Sequence, residues 1–253
     1  MIPKVNIVFG KVEDYFGILK YFILSENMFR EDILSHYPGL KEILENSKNK
    51  KKDLKIFFEN FEKENKKKLI EMVQKTKNLW LPLNNKLMKA FEEIHEIKWT
   101  KKHEIFNVRI TLNPVCPRFL QYNAFDIFYK FDEKNIIDTF LHEISHFIFF
   151  EKLKEVYPKI NPKEFEEPHL IWKMSEMMPG IILQDKKIQD IFQNKELSVY
   201  DNIKKLKIKD KLILDILQDF YDNKKDFEDF IKKSYTFVKE NQIEVEKQFY
   251  KQF

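Results

Sequence analysis

The sequence predicts a mainly helical α+β fold, and three observations support this class. Apolar residues recur at helical spacing over most of the chain, for example in residues 12–24, 40–77 and 82–97. Two short segments, 4–9 and 105–112, instead alternate between apolar and polar residues, which is typical of half-buried strands. Only 4 glycines are present, too few for the many tight turns of a β-sandwich or a propeller. We therefore expect a small sheet within a predominantly helical protein.

The elements of the first hundred residues follow from these patterns. A strand over residues 4–9 ends at Gly10. Helices are predicted over residues 12–24, 30–35, 40–77 (as one or two helices) and 82–97. Residues 1–100 are therefore predicted to be a mainly helical region that packs on the catalytic region, residues 101–253, in one compact unit.

The second region begins with strands and continues as helices. The strand over 105–112 ends before Pro114, and a β-prone piece over 125–129 is predicted to be its antiparallel neighbour. From Lys134 onward the chain is predicted to be helical. Breaks are expected at residues 158–162, 179–180 and 194–198, and long terminal helices over 209–221 and 226–249.

Composition and charge exclude several classes of protein. The net charge of +4 arises from 45 basic and 41 acidic residues, a near balance that lacks the electrostatic footprint of a nucleic-acid-binding protein. The N-terminal residues have no long apolar core typical of a secretory signal, and no segment has the apolar length of a membrane span. We expect a cytoplasmic protein without membrane or nucleic-acid partners. Its single cysteine cannot form an internal disulfide.

The pattern H-E-x-x-H occurs at residues 142–146, within the most apolar stretch of the chain. On a helix, His142 and His146 project from the same face, so both imidazoles can bind one metal ion. Glu143 is placed to accept a proton from a metal-bound water and to pass it later to a leaving amine. Burial of these three polar side chains would be unfavourable without partners, and a metal ion would remove that penalty.

Through this motif and the upstream strand at 107–113, the chain resembles the zincin metallopeptidases over about residues 105–180. The resemblance implies a small sheet packed on a central HExxH helix and one zinc ion per chain. The metzincin branch is excluded, because Phe149 and Lys152 occupy the positions of its glycine and its third ligand. In the gluzincin branch the third ligand is a glutamate on a later helix, and Glu176 is the best match.

Alternatives to Glu176 remain open at this point. His169, near the start of the same predicted helix, is the nearest alternative ligand. Three further acids follow it as candidates: Glu164, Glu166 and Glu167. Thermolysin-type gluzincins often have Asn before the ligand Glu and Asp four residues after it, whereas Ser175 and Gly180 stand there in this chain.

The resemblance also implies how substrate is bound. In zincins a strand at the rim of the cleft adds the substrate backbone to the sheet, which gives this role to the edge-type strand 107–113. Arg109 and Thr111 are the expected substrate-binding residues on it. For Arg109 a structural ion pair is favoured over recognition of a substrate carboxylate. An oxyanion donor is expected from one of three side chains: His169, Tyr200 or Tyr235.

These expectations lead to one main hypothesis and two alternatives. The main hypothesis is a zinc metallopeptidase in which His142, His146 and Glu176 hold the ion and Glu143 is the general base, with a peptide or protein as substrate. The first alternative is a catalytically inactive zincin-like protein, stabilised by its metal, that binds peptide or nucleic acid. The second is a metal-free helical scaffold in which the two histidines bond to backbone carbonyls. The sequence leaves the oligomeric state and the identity of the substrate open.

Overall fold

The computed structural model describes residues 1–25, 27, 29–192 and 201–249 of the chain. Helices predominate and a small mixed sheet accompanies them, which confirms the predominantly helical α+β class. The described helices are α1 Val12–Leu24, α2 Arg30–His36, α3 Gly39–Asn46, α4 Lys50–Trp80, α5 Asn84–His95, α6 Glu133–Val156, α7 Leu170–Ile182, α8 Lys186–Phe192, α9 Asp201–Lys205, α10 Ile213–Asp222, α11 Phe227–Glu240 and α12 Gln242–Phe249. The strands are β1 Lys4–Phe9, β2 Ile105–Thr111, β3 Arg118–Phe119, β4 Ala124–Phe128, β5 Lys207–Ile208 and β6 Lys211–Leu212. Short 3₁₀ helices cover Lys101–His103, Leu120–Tyr122 and Pro162–Phe165.

The chain divides into two compact units. The first, here called the sheet unit, consists of Lys4–Leu83 and Ile105–Thr139. The second, here called the helical unit, consists of Met1–Pro3, Asn84–Glu104 and Phe140–Phe253. Each unit thus takes segments from before and after residue 100. That residues 1–100 pack as a region on the remainder stays a prediction.

The larger sheet lies in the sheet unit and has the strand order β1-β2-β4-β3. β2 is parallel to β1, from the pair Lys4 and Ile105 to the pair Phe9 and Ile110. β2 is also parallel to β4, so the expected antiparallel pairing of these two strands is wrong. The twelve residues between β2 and β4 are long enough for the crossover that parallel strands require. β3, which lies within that connection, is instead the antiparallel neighbour of β4.

The position of β2 in the sheet corrects a second expectation. Over residues 107–110, β2 is hydrogen-bonded to β1 on one side and to β4 on the other. The segment 107–113 is therefore not an edge strand. A peptide backbone cannot add to residues 107–110, because a neighbouring strand is already paired on each side.

Helices α1 and α4 build the core of the sheet unit. α4 begins at an N-cap, where the side chain of Asn49 accepts a hydrogen bond from the backbone N–H of Lys52 at 3.2 Å. Its buried residues recur at helical spacing and include Leu54, Phe58 and Leu69, as the amphipathic pattern predicts. This face of α4 packs against α1 and β1. The segment predicted as one or two helices is thus two, α3 and α4.

The helical unit contains the segments that position the motif. Every residue of α6 from 140 to 150 is buried, as expected for a central helix. α7 packs against α10, α11 and α12, and it continues to Ile182 through the expected break at 179–180. Burial of the apolar residues flanking Pro179 offsets the hydrogen bond that proline removes from a helix. Among the described residues, no helix combines the length and the apolar character of a membrane span.

The C-terminal segments differ from expectation at two places. The helix predicted over 226–249 is divided at Asn241 into α11 and α12. Residues predicted to start a terminal helix at 209 instead form the hairpin of β5 and β6. Its two turn residues, Lys209 and Asp210, have φ values of 47° and 66°. Positive φ at both central residues is typical of the tight turn that matches the twist of a two-stranded ribbon. The break expected at 194–198 lies outside the described residues.

Candidate metal centre

Helix α6 places the two histidines of the motif next to each other. His142 and His146 are one turn apart, and their rings have centroids 4.6 Å apart at an angle of 78°. Their Nε2 atoms approach to 2.9 Å. Both side chains are buried, with 8% and 1% of their surface exposed. The i, i+4 spacing thus produces the shared face that the sequence predicts.

Helix α7 brings a carboxylate to the same point. Oε2 of Glu176 lies 3.1 Å from Nε2 of His142, and Oε1 lies 3.6 Å from Nε2 of His146. Glu176 is 6% exposed, and Met174 and Met177 beside it on α7 are fully buried. The three residues form a group whose ligand atoms all lie within 4.8 Å of one another. We call this group the triad.

The donor set of the triad fits a zinc ion. Two imidazole nitrogens and a carboxylate oxygen are the ligands of zinc sites that keep one position open for water. Two donors around tetrahedral zinc, each at about 2.0 Å from the ion, are separated by about 3.3 Å. The measured separations of 2.9, 3.1 and 3.6 Å lie around this value. In addition, two imidazole lone pairs at 2.9 Å repel unless a proton or a cation lies between them.

The aromatic side chains around His146 hold its ring in place. Phe150, one turn further along α6, stacks on the His146 ring with centroids 6.1 Å apart and an angle of 17°. Phe165 from the 3₁₀ helix Pro162–Phe165 stacks on Phe150 at 4.4 Å. These stacked contacts restrict rotation of the His146 imidazole. Sequence reasoning missed Phe165, which no periodic pattern connects with the motif.

Glu143 lies next to the triad in sequence and is also buried. It follows His142 directly on α6 and is 5% exposed. It does not belong to the group of three ligand-type side chains. A carboxylate that is close to a metal site in sequence but is not a ligand can serve as a base, so this role of Glu143 stays a prediction.

The alternative third ligands are not brought to the histidines. His169 is exposed at the N-cap of α7, where its Nδ1 lies 3.0 Å from the carbonyl oxygen of Glu166. Glu166 and Glu167 are exposed as well, and Glu164 belongs to a 3₁₀ helix outside the triad. The geometry therefore favours Glu176 over each of them.

The expected oxyanion donors have separate positions. His169 lies at the exposed start of α7, as described above. Tyr235 packs its ring against Tyr157, with centroids 5.1 Å apart. Tyr200 lies outside the described residues. For the two described donors, His169 and Tyr235, the structure shows no hydrogen bond or ring contact with the triad. The role of all three donors stays a prediction.

Arg109 and Thr111, the expected substrate-binding residues, belong to the sheet unit. Nε of Arg109 donates a 2.7 Å hydrogen bond to Oδ1 of Asp126, and its guanidinium lies over the Phe119 ring at 4.8 Å. This is the structural ion pair favoured by the sequence. Thr111 is fully buried, and its hydroxyl accepts a hydrogen bond from the backbone N–H of Asn113 at 3.2 Å. Substrate binding by Arg109 and Thr111 stays a prediction. It can no longer be supported by the addition of a substrate strand to β2.

Burial dominates the electrostatics of the Arg109 and Asp126 pair. Asp126 is fully buried, and burial raises the pKa of its carboxyl group from 3.8 to about 6. The hydrogen bond and the charge of Arg109 lower the pKa, but by less than burial raises it. The pair is therefore held in a region that disfavours an isolated charge.

A second polar cluster that sequence reasoning missed lies further along α6. Oε1 of Glu151 accepts hydrogen bonds from Lys102 at 3.0 Å and from Lys154 at 2.9 Å. Burial alone would raise the pKa of Glu151, but the bonds to Lys154 and Lys102 lower it. Burial also lowers the pKa of His103, whose ring packs edge-on against Phe147 at 6.3 Å. These contacts fasten the 3₁₀ helix Lys101–His103 to the helix that carries the triad.

Comparisons with protein-family models, with curated proteins and with solved structures found no match to the chain. The resemblance to zincins, which rests on the H-E-x-x-H motif, therefore stays a prediction.

Proposed function

We propose that the protein is a zinc-dependent peptide hydrolase of the gluzincin type. The observation that carries this proposal is the convergence of His142, His146 and Glu176 from two helices on one buried point. Glu143 supports it further, because a purely structural metal site has no need of a buried base next to its ligands. The peptide as substrate comes from the resemblance of the motif to zincins.

Each of the four side chains has a separate role in the proposed reaction. His142 and His146 supply neutral imidazoles and Glu176 supplies a negative charge, so together they would hold a single zinc ion. When bound, zinc acts as a Lewis acid and makes its water more acidic. Glu143 accepts the proton of the attacking water on its carboxylate and gives it to the nitrogen of the leaving amine. Burial of all four side chains limits access of bulk water, which strengthens each electrostatic interaction.

Replacement of the base tests the proposal. Glu143→Gln keeps the size of the side chain but removes its ability to accept a proton, so cleavage of a peptide library is expected to fall about 100- to 10,000-fold. Bound zinc is expected to stay at about one ion per chain, because Glu143 is not a ligand. Glu155→Gln is the matched control, since Glu155 is exposed on the same helix; its activity is expected to equal that of the wild type.

Two results would contradict the proposal. A Glu143→Gln variant as active as the wild type would exclude Glu143 as the base. A wild-type protein that holds zinc but cleaves no peptide would favour the inactive, metal-stabilised protein instead. In that second case, binding of peptides or nucleic acids that weakens steeply with salt would identify its role.

A further inference from the structure

A cavity of about 490 Å³ lies in the sheet unit, apart from the residues of the triad. One of its walls is α1, which contributes Phe16 and Gly17. A Cβ atom added at Gly17 would meet nothing within 4 Å, so the space beside this residue is open. Glycine inside a helix is less favourable than alanine by about 0.5–1 kcal/mol. Neither packing nor backbone conformation requires a glycine here, whereas a ligand that approaches α1 closely would.

The start of α4 also lines the cavity and contributes three lysines. They are Lys51, Lys52 and Lys55. Among the described residues, no carboxylate lies within ion-pair distance of Lys51 or Lys52. Lys55 approaches Glu59 at 3.6 Å, but both side chains are about half exposed, so this pair neutralises little charge. The lysines therefore leave the cavity with an excess of positive charge.

Two of these lysines lie one turn apart on α4. Lys51 and Lys55 are four residues apart on one face, where like charges destabilise a helix by a few tenths of a kcal/mol. Further along the same helix, Lys63 and Lys67 have the same spacing, but Lys67 also has the acid Glu71 four residues later, 3.8 Å away. The acid on the α1 wall, Glu13, lies 3.5 Å from Lys11, but both side chains are about two-thirds exposed, so Glu13 offsets one of the three lysine charges of the cavity. A bound anion would relieve the repulsion between Lys51 and Lys55.

We propose that this cavity binds a small phosphate monoester that carries a planar apolar group, of about the size of a nucleoside monophosphate. The ammonium groups suit the charge of a phosphate, and the first turn of the 31-residue helix α4 adds its positive dipole end. The buried ring of Phe16 and the open space at Gly17 suit the planar group. The cavity volume lies within the range of about 300–1,000 Å³ that small-molecule sites occupy.

Calorimetric titration with AMP as the probe tests this proposal. Lys51→Gln/Lys52→Gln is expected to weaken AMP binding at least tenfold, because two of the three charges are lost. Lys66→Gln/Lys68→Gln is the matched control, since it removes the same charge from exposed positions of α4 outside the cavity. This control is expected to bind like the wild type.

Filling the cavity is an independent test. Gly17→Leu places a side chain in the open space and is expected to weaken AMP binding at least tenfold without loss of the fold. Inorganic phosphate is expected to bind more weakly than AMP, and adenosine more weakly still. None of these substitutions changes the triad. Phosphate that bound to a metal ion at the triad would therefore bind the lysine variants as tightly as the wild type.

The proposal is overturned by any of three results. The first is that AMP does not bind the wild type at millimolar concentration. The second is that the control double variant weakens binding as much as Lys51→Gln/Lys52→Gln, which would show a general electrostatic effect. The third is that inorganic phosphate binds as tightly as AMP and Gly17→Leu changes nothing, which would exclude a planar group in the cavity.

Discussion

The Arg109 and Asp126 pair in the sheet unit and the triad in the helical unit balance their charges differently. In the sheet unit, the guanidinium of Arg109 meets the carboxylate of Asp126 at 2.7 Å. In the helical unit, two imidazoles and the Glu176 carboxylate converge within 4.8 Å. The first cluster contains both a cation and an anion. The second is made of side chains that can all accept a proton or a metal ion.

This difference favours a structural role for the Arg109 and Asp126 pair and supports the proposed metal site at the triad. An ion pair contains its own counter-charge, so the Arg109 and Asp126 cluster needs no metal ion to balance its charges. The triad gathers lone pairs at one point, and a cation among them is what makes such an arrangement favourable. We therefore expect a metal to affect the helical unit strongly and the pair in the sheet unit not at all.

Removal of a triad ligand is expected to have the largest effect. The wild type should bind about one zinc ion per chain. His142→Ala and Glu176→Ala should both reduce the amount of bound zinc severely, and His142→Ala should reduce it more. At a free zinc concentration about 1,000-fold above Kd, the ion should raise the free energy of unfolding by about 4 kcal/mol. Elemental analysis and chemical denaturation, with and without zinc, measure both quantities.

His169→Ala is the matched control for these variants, because His169 is exposed and lies outside the triad. It should bind as much zinc as the wild type. If the wild type gained no stability from zinc, the triad would be a buried polar cluster without a metal. Loss of zinc in His169→Ala but not in Glu176→Ala would make His169 the third ligand.

Removal of one member of the ion pair is expected to have the next largest effect. Asp126→Leu leaves the Arg109 charge partly buried without its partner, which should lower the free energy of unfolding by about 3–4 kcal/mol. Arg109→Met/Asp126→Leu removes both charges and should cost less than the sum of the two single changes. Chemical denaturation at pH 7 measures this coupling.

The same variants sharpen the contrast between the clusters. All of them should retain about one zinc ion per chain, since neither residue belongs to the triad. If the loss of unfolding free energy in the double variant equalled the sum of the losses in the two single variants, Arg109 and Asp126 would not be coupled. A loss of zinc in these variants would contradict the separation of structural and functional clusters.

The fold was predictable where a local pattern determines it. Apolar periodicity placed β1 and α1 at their observed bounds, and it placed β2 to within one residue. Strand pairing was not predictable in this way, because the direction of β4 depends on the crossover after β2 and on β3. The same limit explains the incorrect assignment of 107–113 as an edge. Alternation indicates which face of a strand is buried, but it contains no information about how many neighbours the strand has.

The site was predictable in part for a related reason. The i, i+4 spacing fixes the shared face of His142 and His146, whatever the tertiary structure. The approach of Glu176 to the two histidines depends on the packing of α7, so no local pattern in the sequence determines it. The clue was an acid among buried methionines, which is an unfavourable position for a carboxylate without a partner. The stack from His146 through Phe150 to Phe165 had no comparable sequence signal.

The pH dependence of the ion pair gives the smallest expected effect. Since burial raises the pKa of Asp126 from 3.8 to about 6, the folded protein binds this proton more tightly than the unfolded chain does. The stability that Asp126 contributes is therefore complete below about pH 3.8 and is lost as the pH rises to about 6. We therefore compare the wild type with Asp126→Asn. The free energy of unfolding of the wild type minus that of the variant should fall by about 2–3 kcal/mol across this range, since each pH unit corresponds to about 1.4 kcal/mol per proton.

Comparison with Asp126→Asn also isolates this group from the other titrating side chains. Burial lowers the pKa of His95 from 6.5 to about 3, so its contribution to stability is lost as the pH falls, opposite in sign to that of Asp126. His95 is present in both proteins, and its contribution cancels in their difference. A difference that rose with pH between 4 and 6 would show that Arg109 outweighs burial. Arg109 would then stabilise the ionised carboxylate of Asp126. The ion pair would raise the free energy of unfolding rather than only offset the cost of burying the two charges.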